Sequence, residues 1–113
     1  MKKSPKIIVI IPAFNEEKSI GKVVSELPHE IVSEVIVCNN GSTDQTASVA
    51  REAGATVLTE TRRGYGWACL KGMDYCETMD EKPAIVVFID GDYSDYPQEL
   101  KWVVQPIVEN DID

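Results

Sequence analysis

The chain has 113 residues, 43% of them apolar, enough for one packed domain and too apolar for bulk disorder. Its formal net charge of −8 excludes the basic footprint that nucleic acid or an anionic membrane surface requires. No apolar run reaches transmembrane length and the N-terminus does not read as a signal peptide, so a cytoplasmic location is expected. Cys38, Cys69 and Cys76 lack a metal-ligand spacing and read as small buried hydrophobes of a reducing compartment.

The first element is KIIVIIP (6–12), a continuous β-branched run that predicts a buried strand. Asn15 is placed to cap a following helix, whose Ile20, Val23, Val24 and Leu27 form one apolar stripe ended by Pro28. EVIVCN (34–39) predicts the second strand. GSTD (41–44) supplies caps for a helix through about Ala53, with Gly54 as its C′ residue. ATVLTE (55–60) is a short third strand and RRGYG (62–66) a loop. A helix from about Trp67 to Met79 sets Cys69, Gly72, Met73 and Cys76 on one face. AIVVFID (84–90) is the fourth strand. Pro97 suits the first turn of a last helix that buries Leu100, Val103, Val104, Ile107 and Val108, with Pro106 kinking or ending it. Strands alternating with helices predict a three-layer α/β fold on a parallel sheet with right-handed crossovers.

The unusual segments all follow strand ends, the edge where parallel α/β sheets bind ligands. In DGDYSD (90–95), Asp90 and Asp92 are read as oxygen ligands for a divalent cation, with Asp95 as the cap of the next helix; Gly91 is expected to permit a sharp turn. NNGSTD (39–44) offers a tight turn at Gly41 and a helix start that either caps itself or receives an anion. In PAFNEE (12–17), Phe14 can lie against a flat base and Glu16 can accept from a ribose or base, or the segment is a plain capped loop. Arg62 and Arg63 can contact a diphosphate, while Tyr65 and Trp67 suit loop packing as well as stacking. His29 and the DEK run (80–82) read as surface.

In this order, PAFNE, NNGSTDQT, RRGYGWACLKG and IDGDYSDYP resemble the inverting family 2 glycosyltransferases of the GT-A fold, over nearly the whole chain. The ending DGDYSDYP is similar to the branch that includes polyprenyl- or dolichyl-phosphate sugar synthases. The resemblance implies a Rossmann-like nucleotide-binding half of a GT-A fold, covering 1–113 as a single domain. It implies a UDP- or GDP-linked sugar as donor and Mg²⁺ or Mn²⁺ as cofactor. Pro12, Phe14 and Glu16 would line the nucleoside pocket, and Asn39 and Asn40 would stand where the family often has two acids. Arg63 and Gly64 would join them, and Asp90, Gly91 and Asp92 would bracket the donor diphosphate, with Asp92 and Asp90 as metal ligands.

An inverting transfer needs a general base for the acceptor hydroxyl. In the family that base and the acceptor site lie further along, beyond the position of Asp113, so this chain alone is expected to bind a donor without transferring it. A homodimer through sheet surface left uncovered is a further expectation. Two other readings stand beside this one. A non-catalytic nucleotide-binding or assembly module would keep the fold without the chemistry. A haloacid-dehalogenase-like phosphatase would use FIDGDYS but needs a lysine and further acids downstream. A dinucleotide-binding domain is disfavoured because PAFNEE replaces the Gly-rich turn.

Overall fold

The computed structural model of the protein describes residues 5–91 and 104–106. In chain order the elements are β1 (Ile7–Ala13), α1 (Ile20–Ser25), β2 (Glu34–Asn39), α2 (Thr46–Glu52), β3 (Thr56–Thr59), α3 (Tyr65–Glu77), β4 (Ile85–Phe88) and β5 (Val104–Pro106). The sheet order is β3-β2-β1-β4-β5. The first four strands are parallel, with Ile10 opposite both Ile36 and Phe88 in register. Helices cover both faces, giving three layers.

Period-two alternation divides the core. Val9, Ile11 and Ala13 of β1 join Val35 and Val37 of β2 beneath α1 and α2, whose Ile20, Val23, Val24 and Ala50 are buried against them. Ile8 and Ile10 join Ile36, Cys38 and Val86 on the opposite face, against Ala68 and Cys76 of α3. The residues buried along α3 are Ala68, Gly72 and Cys76, four apart, and Gly72 sets the approach distance. A Cβ there would lie 2.7 Å from Ile10 Cγ2 and 3.2 Å from Cys38 Sγ, so the helix rests directly on β1 and β2. Burial pushes the Cys38 thiol up to about 12, consistent with an inert core residue.

Two local expectations are corrected. Asn15 does not cap α1: it sits at φ 52, a left-handed conformation that Asn tolerates, and α1 starts only at Ile20, with Ser19 as its N-cap. Val104–Pro106 is a strand, antiparallel to β4, where a helix was expected. The apolar spacing there fits a helix, but the run is also β-branched, and the open edge of β4 supplies backbone partners. Proline is tolerated because β5 is an edge strand. The remainder of that expected helix, with Leu100, Val103, Ile107 and Val108, lies outside the described residues, as do Asp92, Asp95 and Pro97. Among the described residues no helix is long and apolar enough to cross a membrane.

The chain runs outward from β1 to β2 and β3, then returns through α3 to β4 on the other side of β1. The reversal of strand order therefore falls between β1 and β4. A crevice opens at the C-terminal ends of the strands at such a point.

Candidate functional site

A cleft of about 230 Å³ lies at that crevice. It is lined by Pro12, Ala13, Phe14 and Glu16 after β1, Asn40 after β2, Tyr65 and Ala68 of α3, and Asp90 and Gly91 after β4. A larger hollow, about 580 Å³, opens at the opposite edge between Pro5, Lys6, Ile31, Ser33 and Glu81. It contains none of the strand-end motifs and is at the wrong edge for a parallel α/β ligand site.

The first two strand-end loops are laced together. The Asn15 N–H donates to Ser42 Oγ at 2.9 Å, and Asn15 Oδ1 accepts from the Thr43 N–H at 2.8 Å. The Glu16 N–H donates to Thr46 Oγ1 at 2.8 Å. The Glu17 N–H donates to Asp44 Oδ2 at 3.2 Å, and Glu17 Oε1 accepts from the Gln45 N–H at 2.9 Å. The Thr46 hydroxyl, fully buried, donates in turn to Asp44 Oδ1. Burial pushes the Asp44 carboxyl up, but the bonds from the Thr46 hydroxyl and from the Thr46 and Glu17 amides outweigh it and hold it below the ordinary range. Ser42 and Thr43 are therefore bridges between loops and not caps; only Asp44 bonds the start of α2, through the Thr46 N–H. Gly41 does take the turn, at φ 81. The lattice fixes the backbone that carries Phe14 and Glu16 to the cleft.

The β3–α3 loop is held differently. Asn40 is buried, and its Nδ2 donates to the Glu60 carbonyl at 2.9 Å and the Arg62 carbonyl at 2.8 Å. Its Oδ1 accepts from the Gly64 N–H at 2.9 Å. Arg62 forms a two-point ion pair with Glu60, Nε to Oε2 at 2.9 Å and Nη2 to Oε1 at 3.0 Å, and lies 3.8 Å over the Trp67 ring. The Arg62 side chain and amide hold the buried Glu60 carboxyl down to about 2. Arg63 turns the other way, its guanidinium 4.2 Å from the centroid of Phe14. Arg62 thus engages Glu60 and Trp67, whereas Arg63 packs against Phe14, a residue of the cleft wall.

After β4, the Ser19 hydroxyl donates to the Gly91 carbonyl at 2.7 Å. Gly91 is buried, and a Cβ would come 3.2 Å from Ile20 Cδ1. Gly91 lies in a turn, as expected, without a left-handed φ, and its missing Cβ also allows close packing on α1. Asp90 is half-buried in the cleft. Burial and the Asp90 charge keep the nearby Cys69 thiol raised, with Tyr65 opposing through a hydrogen bond.

The structure thus gathers Pro12, Phe14, Glu16, Asn40, Asp90 and Gly91 around one cleft. Asn39 ends β2 half-buried, its Oδ1 accepting from the Ser42 N–H at 3.3 Å; it does not line the cleft. Gly64 is the N-cap of α3 at φ 135, its N–H taken by Asn40. Asp92 lies outside the described residues, so the proposed metal pair is represented by Asp90 alone. Among the described residues no three His, Cys, Asp or Glu side chains stand together as a complete metal site. Sequence reasoning missed Ala13 and Ala68 and left Tyr65 undecided. Tyr65 and Ala68 are three apart at the start of α3, a spacing that only the correct helix start makes informative.

Comparison with known proteins accounts for this arrangement. The model for Glycosyl transferase family 2 matches residues 8–113. The chain belongs to that family. It is 35% identical over 103 residues to an uncharacterized protein of Methanocaldococcus jannaschii, covering 90% of this chain and 42% of the relative. It is 32% identical over 108 residues to protein RfbJ of Shigella flexneri, covering 95% of this chain and 80% of the relative. It is 40% identical over 93 residues to 4,4'-diaponeurosporenoate glycosyltransferase of Staphylococcus aureus, covering 76% of this chain and 24% of that enzyme. The crystal structure of Mycobacterium tuberculosis glucosyl-3-phosphoglycerate synthase superposes with a TM-score of 0.68 at 33% identity, over 78% of this chain and 34% of the synthase. The same synthase has been solved with Mn²⁺, uridine diphosphate and glucosyl-3-phosphoglycerate, TM-score 0.67 at 33% identity, over 77% of this chain and 33% of the synthase. The fold is the Rossmann-like, three-layer α/β arrangement of the GT-A glycosyltransferases. This family 2 chain spans less than half the length of the archaeal relative and about a third of the synthase.

Proposed function

We propose that this chain binds the nucleoside diphosphate of a sugar donor in the cleft between β1 and β4, together with Mg²⁺ or Mn²⁺. The observation that carries the reading is the convergence of Phe14, Glu16 and Asp90 on one cleft at the point where strand order reverses. Support comes from the synthase with the same fold, which has been solved with uridine diphosphate and either Mn²⁺ or Mg²⁺. Phe14 offers a ring face for the base, and Glu16 offers acceptors for the nucleoside. Arg63 stands at the rim for the diphosphate.

The residues present fit a hard cation. Asp90 is a carboxylate lining the cleft and Asp92 follows two residues on, a donor set of hard oxygens of the kind that shares a cation with a ligand's phosphates. Bound there by Asp90 and Asp92, the cation would neutralise charge on the leaving nucleoside diphosphate. Uridine is favoured as the base on the synthase's example, with guanosine the alternative.

The whole protein is then an inverting sugar transferase, its acceptor a polyprenyl phosphate or a saccharide, and residues 1–113 its cytoplasmic donor-binding domain. Isothermal titration with UDP-glucose and GDP-mannose, each with and without Mn²⁺, tests this. Binding of one donor that requires Mn²⁺ and is lost in Asp92→Ala is the expected result. Failure of every nucleotide sugar to bind would favour a non-catalytic module.

A further inference from the structure

We infer that the side-chain amide of Asn40 is the positioning group that presents Arg63, and not Arg62, to the ligand's diphosphate. The inference rests on the nucleotide-diphosphate reading above. Its physical basis is the bracket that Asn40 forms around the two arginines. Nδ2 holds the carbonyls of Glu60 and Arg62 and Oδ1 holds the amide of Gly64, so the peptides on both sides of Arg63 are tied to one buried side chain. The partners fix the amide's orientation, because two carbonyls must face the NH₂ and one N–H must face the oxygen.

With the loop so held, Arg62 falls onto Glu60 and the ring of Trp67. The next side chain projects to the other side, over Phe14 and with its Cδ 3.6 Å from where a Gly41 Cβ would be. Gly64 at φ 135 and ψ 145 then lets the chain enter α3 immediately after Arg63, in a conformation open almost only to glycine.

An ionised aspartate at position 40 could not do this. It has no donor for the two carbonyls and would set a third negative oxygen against them. The amide at this member of the Asn39-Asn40 pair is therefore required for loop geometry, whatever the base of the donor.

The test separates the phosphates from the nucleoside. Titrations of UDP and of uridine, both with Mn²⁺, are run on the wild-type chain, Asn40→Asp, Arg63→Met and the double variant. Asn40→Asp is expected to weaken UDP about tenfold or more while uridine changes less than about twofold. Arg63→Met should reproduce that selective loss, and the double variant should lose no more than Arg63→Met alone. Arg62→Met should leave the UDP-to-uridine affinity ratio at its wild-type value. If Asn40→Asp does not fold, Gly64→Ala strains the same tether and should show the same selective loss. Equal losses of UDP and uridine, or additive effects of the Asn40 and Arg63 changes, overturn the inference and leave the proposed function intact. Failure of UDP to bind the wild-type chain instead overturns the proposed function.

Discussion

The loops after β1 and β2 meet at the cleft and the loop after β3 leads into the helix that lines it, but they are held by opposite strategies. The first pair is laced by many bonds between Asn15, Glu16 and Glu17 on one side and Ser42, Thr43, Asp44, Gln45 and Thr46 on the other. The β3–α3 loop is tied largely through the single buried amide of Asn40, with the Glu60–Arg62 pair bracing it from outside. Distributed attachment tolerates the loss of any one bond, because its neighbours keep the geometry. Single-point attachment concentrates the cost, because removing one side chain leaves several backbone groups unsatisfied at once.

The largest effect should follow Asn40→Ala, which removes the partner of two carbonyls and one N–H, one of the bonds buried and two part-buried. A loss of about 3 kcal/mol in urea unfolding is expected; a loss below about 1 kcal/mol would break the contrast between the loops. Thr46→Val comes next. It keeps the shape of a fully buried side chain but removes the partner of the Glu16 N–H and of Asp44. A cost of about 1–2 kcal/mol is expected by the same measurement, with binding of UDP retained because the neighbouring bridges remain.

The brace around Arg62 should show itself in pH dependence. The Glu60 carboxyl is held at about 2 in the folded chain against an ordinary 4.5. A depressed carboxylate contributes stability that is complete above the unfolded value and is lost as pH falls toward the folded one. The stability difference between wild type and Glu60→Gln should therefore be constant above about pH 5 and shrink steadily toward about pH 2, as read by thermal melts across that range. A difference that persists unchanged at the acid end would mean that the ion pair is not the brace. Ser42→Ala should be the mildest change, about 0.5 kcal/mol, since it removes one acceptor, the partner of the Asn15 N–H, from a lattice that retains the rest. A cost equal to that of Asn40→Ala would erase the distinction between distributed and single-point attachment.

Much of the frame was legible because its signals are local. EVIVCN is β2 from first residue to last, and the stripe Ile20, Val23, Val24 and Leu27 is the buried face around α1. Gly54, placed as the residue ending α2, has the positive φ of 105 that this role requires. The segment around Val104 was misread because its apolar spacing satisfies a helix as well as its β-branching satisfies a strand. Pairing with the free edge of β4 decided between them. The start of α3 moved two residues earlier, to Tyr65, because the tethered Gly64 begins the helix there, and that shift put Tyr65 and Ala68 in the cleft.

By itself, the order of β-branched runs, helical stripes and turn residues determined the parallel α/β frame and the gathering of PAFNEE, NNGSTD, RRGYG and the Asp90-Gly91 pair at one sheet edge. Each of those signals lies within a few residues of chain, where local sterics and periodicity act. The division of labour inside the motifs was decided only by tertiary structure. Arg62 and Arg63 are adjacent and chemically identical, as are Asn39 and Asn40, so nothing local distinguishes the members of either pair. What separates them is a set of partners twenty or more residues away, brought within hydrogen-bond distance of Asn40 only when β1, β2 and β3 pair.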